Sequence, residues 1–467
     1  MRRVKIYFIL LFLTTGNISA QSNKSADVLI SEIEITGNEK TKDYVILREL
    51  TFKKNEYVAP DKLLELTEQS KINLLKTPLF NDVSINYEIS DSVNVEITVK
   101  VEERWYLWPQ AAVYYVDRNF SNWLKDKDFS RIDAALGLEK YNVRGRNEKL
   151  KLYVLFGYDE ELIFKYDNFY FDKKRKHSGA LFLKQLRRKE TTCAIENDRV
   201  KRIKLTDNYA LKSCNITFKY SFRKDILNIH SYYLGFEHRS VADSLLLCNP
   251  HYFTGSGNSA SYMFLKYIFL NDKRDSRIFP LTGHNIKITA TKNGLFIFPE
   301  SEINSLKLKG EFSKYMRINK NLYFAGNLTF QKTTGKKNPF FLNTALGYSS
   351  NVRGYEYYAI NGTDFFLLKN TLNFKLLSKR TFHIKFLPWD KINKPYIKIY
   401  ADIFIDAAYV KNADILYNEQ NYLTNKYLYG TGAGINILTY YDWLFRIDFS
   451  VNRQKERGIF LHFEAPF

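Results

Sequence analysis

From residue 105 onward the chain alternates apolar and polar positions in stretches of about ten. In 396–407, Ile397, Ile399, Ala401, Ile403 and Ile405 share one parity, while Lys398, Tyr400, Asp402, Phe404 and Asp406 share the other. A period of two sends successive side chains to opposite faces of an extended strand. The same split recurs at Trp443, Phe445, Ile447, Phe449 and Val451 against Leu444, Arg446, Asp448 and Ser450, and again at Ile459, Leu461, Phe463, Ala465 and Phe467. An apolar face free of charge suits hydrocarbon, where only a closed barrel satisfies the backbone of strands. No run of 18 apolar residues occurs, so spanning helices are not expected. Allowing strands of roughly 9–11 residues plus turns, the stretch 105–467 accommodates 16 strands at about 22 residues each. The pattern therefore predicts a membrane all-β fold: a 16-stranded antiparallel transmembrane β-barrel over 104–467. A soluble sandwich is the competing reading.

The pattern before residue 104 is mixed. Val28 to Ile35 alternates, with Leu29, Ser31, Ile33 and Ile35 opposite Ile30, Glu32 and Glu34, and Gly37-Asn38 supplies a turn. Val45, Ile46 and Leu50 recur at helical spacing after Thr41, a candidate N-cap. Pro60 opens a second helix to about Lys76, whose apolar face comprises Leu63, Leu64, Leu66, Ile72, Leu74 and Leu75. Two alternating strands follow, carrying Val83, Ile85, Tyr87 and Ile89, then Val93, Val95, Ile97, Val99 and Val101. The order β-α-α-β-β over 28–103 is enough for a small α/β domain with its own core.

Charge and composition sharpen this division. Residues 28–103 hold 9 Lys or Arg and 15 Asp or Glu, a net of −6, in a chain whose net charge is +20. The C-terminal region is correspondingly basic, which fits lipopolysaccharide, acidic lipid headgroups or a polar transport lumen; the plainer reading is lysines that solubilise long loops. Arg2, Arg3 and Lys5 lead into an apolar run from Ile6 to Leu13, and Ile18-Ser19-Ala20 offers a cleavage point, so residues 1–20 read as a secretory signal peptide. Secretion argues against a nucleic-acid partner. Cys193 and Cys214 flank a stretch that reads as an extended hairpin loop, either bridged or both free, with Cys248 left over on both readings.

Several segments carry a resemblance. Ile33-x-Ile35-x-Gly37-Asn38, Thr41, Ile46-x-Arg48-Glu49-Leu50, Leu75 and Leu79-Phe80 are similar to a POTRA domain, the periplasmic module of the BamA/TamA and two-partner-secretion superfamily. The chain departs from that family at Lys54-Asn55-Glu56, where a glycine is common, and has room for a single module. Further along, Asn142 to Gly145, Asp272-Lys273-Arg274-Asp275 with Pro280 and Gly283, Phe404-x-Asp406, Gly430-x-Gly432-x-Gly434, Arg446-x-Asp448 and the closing Phe467 resemble barrel segments of the same superfamily in the same order. Ala408 stands where the family has glycine. Val352-Arg353-Gly354-Tyr355 resembles its inward-folding loop, and the resemblance implies that Arg353 meets Asp406 in the lumen. Parity independently puts Asp406 on the polar face of its strand, with Arg446 and Asp448 on the polar face of theirs, available to extend a network.

The resemblance also implies a seam between the first and last strands that opens sideways to an extended client. Pro109 in the first strand lacks a ladder donor, which would weaken pairing with the strand ending at Phe467. Alternatively Pro109 marks the linker from the first domain. The implied setting is the bacterial outer membrane with the POTRA domain in the periplasm. The implied partners are outer-membrane lipid and lipopolysaccharide, an unfolded or β-rich client protein, and periplasmic or outer-membrane accessory proteins. Seven scattered histidines without H-E-x-x-H or C-x-x-C, and no G-x-S-x-G or P-loop, argue against an enzyme, a metal or a cofactor. The expected function is an assembly or translocation factor that inserts or exports β-rich clients; the alternative is a passive channel or structural surface barrel.

Overall fold

The computed structural model describes residues 27–91, 93–115, 132–172, 175–382, 395–412 and 420–464. Residues 1–20, the expected signal peptide, and Phe467 lie outside the described residues. In the N-terminal domain, β1 (Val28–Thr36) leads into α1 (Asp43–Leu47), a two-residue strand β2 (Tyr57–Val58) and, after a 3₁₀ turn at Pro60–Lys62, α2 (Leu63–Leu75). β3 (Phe80–Ile89) and β4 (Asn94–Glu103) complete a sheet of order β2-β1-β4-β3, with β1 and β4 parallel. The short β2 adds a strand to the expected order.

Local physics explains where this domain departs from its simple pattern. Ser31 is an extra residue between the pairs Ile30↔Val95 and Glu32↔Glu96. That bulge reverses the parity of β1, so Ile30 is buried while Ile33 and Ile35 pack on the same core. Thr41 does not cap α1; its hydroxyl donates to Glu103 at 2.5 Å, because β4 brings that buried carboxylate beside it. Leu64 is 62% exposed, whereas Leu63 and Leu74 are buried against the sheet. Asn55 has φ +64°, a left-handed conformation that asparagine tolerates better than most residues.

The second unit is one 16-stranded antiparallel sheet. Its first strands are β5 (Leu107–Tyr115), β6 (Ile132–Val143), β7 (Glu148–Gly157), β8 (Glu160–Tyr170) and β9 (His177–Arg188). A separate hairpin, β10 (Glu190–Glu196) and β11 (Arg199–Lys204), rises from the rim before β12 (Leu211–Arg223) and β13 (Asn228–Val241). A short α3 (Asp243–Cys248) precedes β14 (Ser259–Asp272) and β15 (Gly283–Asn293). β16 (Asn304–Arg317), β17 (Leu322–Lys337), β18 (Asp364–Thr381) and β19 (Tyr396–Lys411) follow. The last three strands are β20 (Tyr427–Thr439), β21 (Leu444–Asn452) and β22 (Arg457–Glu464). Neighbours in sequence are neighbours in the sheet, except that β9 pairs with β12 across the rim hairpin. β5 and β22 are its two ends, and among the described residues no ladder joins them.

The outer face is apolar. Ile403 and Ile405 on β19, Phe445, Ile447 and Phe449 on β21, and Ile459, Leu461 and Phe463 on β22 are all exposed and alternate with inward residues that are mostly polar, Phe404 and Phe460 excepted. Such a continuous apolar band is stable only against lipid. No helix among the described residues is long and apolar enough to cross a membrane.

Inter-strand loops on the side away from the α/β domain form a cap. Leu186, Val241, Leu245, Tyr252, Phe253 and Ile303 share a core with Cys193. Cys193 is bonded to Cys248, and Cys214 is free and exposed. The pairing considered from sequence, Cys193 with Cys214, is thereby corrected: α3 packs on the β10–β11 hairpin and brings Cys248 to it, with a Cα–Cα distance of 6.1 Å, whereas Cys214 lies within β12.

Candidate functional site in the lumen

The long connection 338–363 between β17 and β18 turns inward instead of extending from the rim. Val352, Tyr355, Tyr358 and Ile360 are buried with Leu367 of β18, Ala408 and Val410 of β19, and Leu428 of β20. This apolar packing positions Arg353, which is only 5% exposed. Its Nε donates to Asp406 Oδ2 at 2.9 Å and its Nη2 to Oδ1 at 2.6 Å, a bidentate pair. The Arg353 backbone N–H adds a third bond to Oδ2 at 3.1 Å, and Nη2 also donates to Thr371 at 3.0 Å. The guanidinium lies 3.8 Å above the Phe404 ring, a cation–π contact. Asp406 is fully buried.

Glycines leave room for this loop. A Cβ at Gly430 would lie 1.9 Å from the Arg353 carbonyl oxygen, and one at Gly434 would lie 2.5 Å from Asp448 Oδ1. Gly354 has φ +90°, where a side chain is strained, and its carbonyl accepts from Asn452 at 2.9 Å. The Tyr355 hydroxyl accepts from the Arg453 backbone N–H at 3.2 Å. Arg446 and Asp448 meet at 3.3 Å on β21, and His462 of β22 is 3.6 Å from Asp448. They line the same lumen, and Asp448 is close enough to feel the charges of Arg446, Arg353 and Lys369. Lys369, at 4.0 Å from Asp406, is the nearer extension of the pair. Pro109 lies opposite Leu138 of β6 and is exposed on the outer face.

The opposite rim holds the α/β domain. Glu49 is buried and receives both Arg223 guanidinium nitrogens at 2.6 Å, with Arg48 at 3.0 Å. Burial pulls the Glu49 carboxyl up, but Arg223 and Arg48 outweigh it and hold the group down to about 2. Arg104 pairs with Asp442 at 3.0 Å, and the Lys76 ammonium donates to the Asp272 carbonyl at 2.8 Å. The β6–β7 turn closes the contact: Asn142 donates to Thr41 at 2.8 Å, and Lys42 N–H donates to the Gly145 carbonyl at 3.0 Å. Gly145, at φ +71°, would place a Cβ 2.1 Å from the Lys40 carbonyl oxygen. Sequence alone singled out Glu49 and Gly145 as motif positions but gave neither this docking role, because their partners lie far away in the chain.

Among the described residues no cluster of His, Cys, Asp and Glu is arranged to hold a metal ion. What the arrangement offers is mechanical: a loop pinned in the lumen by one buried ion pair, above a domain bolted to the opposite rim.

Comparison with known proteins agrees with this architecture. The Omp85 superfamily domain model matches residues 142–464, and a POTRA model, described as a surface antigen variable number repeat, matches residues 28–104. BamA from Haemophilus ducreyi lacking POTRA domains 1–3 is 16% identical, with a TM-score of 0.51, covering 93% of this chain and 84% of that one. CdiB from Escherichia coli is 10% identical, with a TM-score of 0.54, covering 93% of this chain and 75% of that one. No curated protein sequence matches.

Proposed function

This chain belongs to the Omp85 superfamily, and from that premise we propose that it is an outer-membrane factor that inserts or exports β-rich client polypeptides, with its POTRA domain in the periplasm. The observation that carries this reading is the loop 338–363. Val352, Tyr355, Tyr358 and Ile360 occupy the lumen side of β18–β20 as buried core, and the buried Arg353–Asp406 pair holds them there. A passive channel needs a permanently open path, whereas a plugged barrel needs a client or partner to displace the plug. The docked POTRA domain supports the same reading, since it presents an α/β sheet at the periplasmic mouth where an extended segment arrives.

On this reading Arg353 and Asp406 lock the loop, Gly354 and Tyr355 shape its tip, and Arg446 and Asp448 keep the neighbouring wall polar. Pro109, which has no N–H to offer a ladder, sits in one of the two end strands of the sheet. The seam between the end strands, β5 and β22, is the proposed exit for a client strand.

Depletion tests the proposal. The expected result is a fall in the level of at least one other outer-membrane or surface protein. Unchanged levels together with reduced small-solute permeability would instead establish a passive channel. Crosslinking the first strand to the last separates the seam from the rest of the mechanism, because full activity in the locked protein would exclude lateral exit.

A further inference from the structure

At the POTRA-bearing end of the barrel lies a cavity of about 1060 Å³ to which both units contribute walls. Fourteen Lys or Arg residues line it against seven Asp or Glu. Most of those acids are already engaged: Glu49 by Arg223, Asp167 by Lys219 at 2.6 Å, Asp272 by Arg274 at 2.9 Å and Asp442 by Arg104. Among the described residues no ion pair within 4.0 Å joins Arg277 or Lys398 to a carboxylate; Asp272 and Glu49 act on Arg277, and Asp442 and Asp275 on Lys398, only from farther away. Arg277 rides on the β14–β15 turn, which leans into the barrel so that the Phe279 ring meets Tyr400 at a tilt of 43° and a centroid distance of 4.7 Å. Lys398 precedes Tyr400 by one turn of strand alternation, on the same inward face of β19.

Low-dielectric walls around a surplus of one charge focus the field into the enclosed space. Tyr170, Tyr233, Tyr396, Ile268 and Leu270 interleave with the cations. A phosphate or a sugar acid would use only the charges; a polypeptide bearing carboxylates between apolar side chains would use both. The volume is at the upper end of pockets that enclose small ligands, roughly 300–1,000 Å³, and so admits a short peptide segment.

We propose that this vestibule is a receptor for acidic polypeptide segments, engaging their carboxylates through Arg277 and Lys398 before the segment reaches the Arg353 loop. The identification of such a segment with a client rests on the assembly reading; the binding itself does not.

The test uses the full-length protein in detergent and a fluorescein-labelled ten-residue oligoglutamate, read by anisotropy. The expected result is salt-sensitive binding that falls at least tenfold in R277E/K398E and persists in R277K/K398R. It should also persist in K201E/K204E, which reverses charge on the rim hairpin far from the cavity. Circular dichroism verifies that each variant keeps its β-sheet. Equal affinity in wild type and R277E/K398E, or equal binding of labelled oligoglutamine, overturns the proposal. Tighter binding of polygalacturonate than of oligoglutamate overturns the assignment to peptide. Peptide binding in a protein whose depletion leaves other outer-membrane proteins unchanged would keep this site and remove the assembly reading; loss of those proteins without peptide binding would do the reverse.

Discussion

Replacing Arg353 by alanine should release the lumenal loop without dismantling the barrel. The side chains of Arg353 and Asp406 are 6% and 0% exposed, so neither partner has water to fall back on. In R353A, Asp406 would keep the backbone N–H of residue 353, at 3.1 Å, and Lys369 at 4.0 Å, but would lose both guanidinium bonds. Breaking one side of a buried pair costs about 3–5 kcal/mol. At 1.36 kcal/mol per tenfold, the loop-open population should rise by roughly 10²–10⁴. Limited proteolysis of the loop in lipid vesicles reads this directly, as a faster cut within 338–363 while the strands remain protected. R353K keeps the charge but not the fork, and should fall between wild type and R353A. R353L/D406L removes both charges and should recover much of the loss. Cleavage of R353A at the wild-type rate would refute the view that this pair holds the loop.

G430A should mimic R353A in the proteolysis assay, because its Cβ would meet the Arg353 carbonyl oxygen at 1.9 Å. The POTRA docking should weaken in acid: with the Glu49 carboxyl held at about 2 against an ordinary 4.5, its contribution is complete above pH ~4.5 and lost as pH falls through ~2. Because Arg48 stays beside Glu49 after undocking, roughly 3 kcal/mol is the upper bound of that difference. Energy transfer between dyes on the two units should report undocking over this window, and E49Q should dock more weakly at neutral pH and lose that component of the pH response. Maleimide should label Cys214 in the native protein and reach Cys193 and Cys248 only after reduction, which should loosen the β10–β11 hairpin while leaving the 16-stranded sheet intact by circular dichroism.

The barrel was legible because each of its strands faces two different solvents. Ile403 and Ile405 must face lipid, so Asp402 and Asp406 must face the lumen, and strand parity decides this without reference to any other part of the chain. Parity failed where the backbone broke it: the bulge at Ser31 shifts the second half of β1, and no feature of 28–36 announces an extra residue. Features that depend on distant segments were beyond a local reading. Thr41 has the chemistry of an N-cap, but Glu103, 62 positions later, offered its hydroxyl a better acceptor. Cys193 and Cys248 are separated by 55 positions, and Glu49 and Arg223 by 174. Motif likeness marked Glu49 and Gly145 as special but carried no geometry.

The charge asymmetry along the sequence has a natural first explanation, that an acidic POTRA domain docks on a basic barrel and the charges cancel. The interface does not work that way. Glu49 to Arg223 has the expected sense, but Lys76 meets the Asp272 carbonyl, with its ammonium 3.8 Å from that residue's carboxylate, and Arg104 meets Asp442, both with the cation on the POTRA side or the linker. Docking therefore spends barrel acids as well as barrel bases, and leaves the basic surplus of the vestibule in place. Loop solubility does not account for that surplus either, because Lys398 lies on the inward face of a spanning strand and Arg277 on a turn folded toward it. Enclosed like charges repel one another, and a fold keeps them at a cost in stability. On the proposed reading, that cost is offset when a carboxylate-bearing segment enters the vestibule.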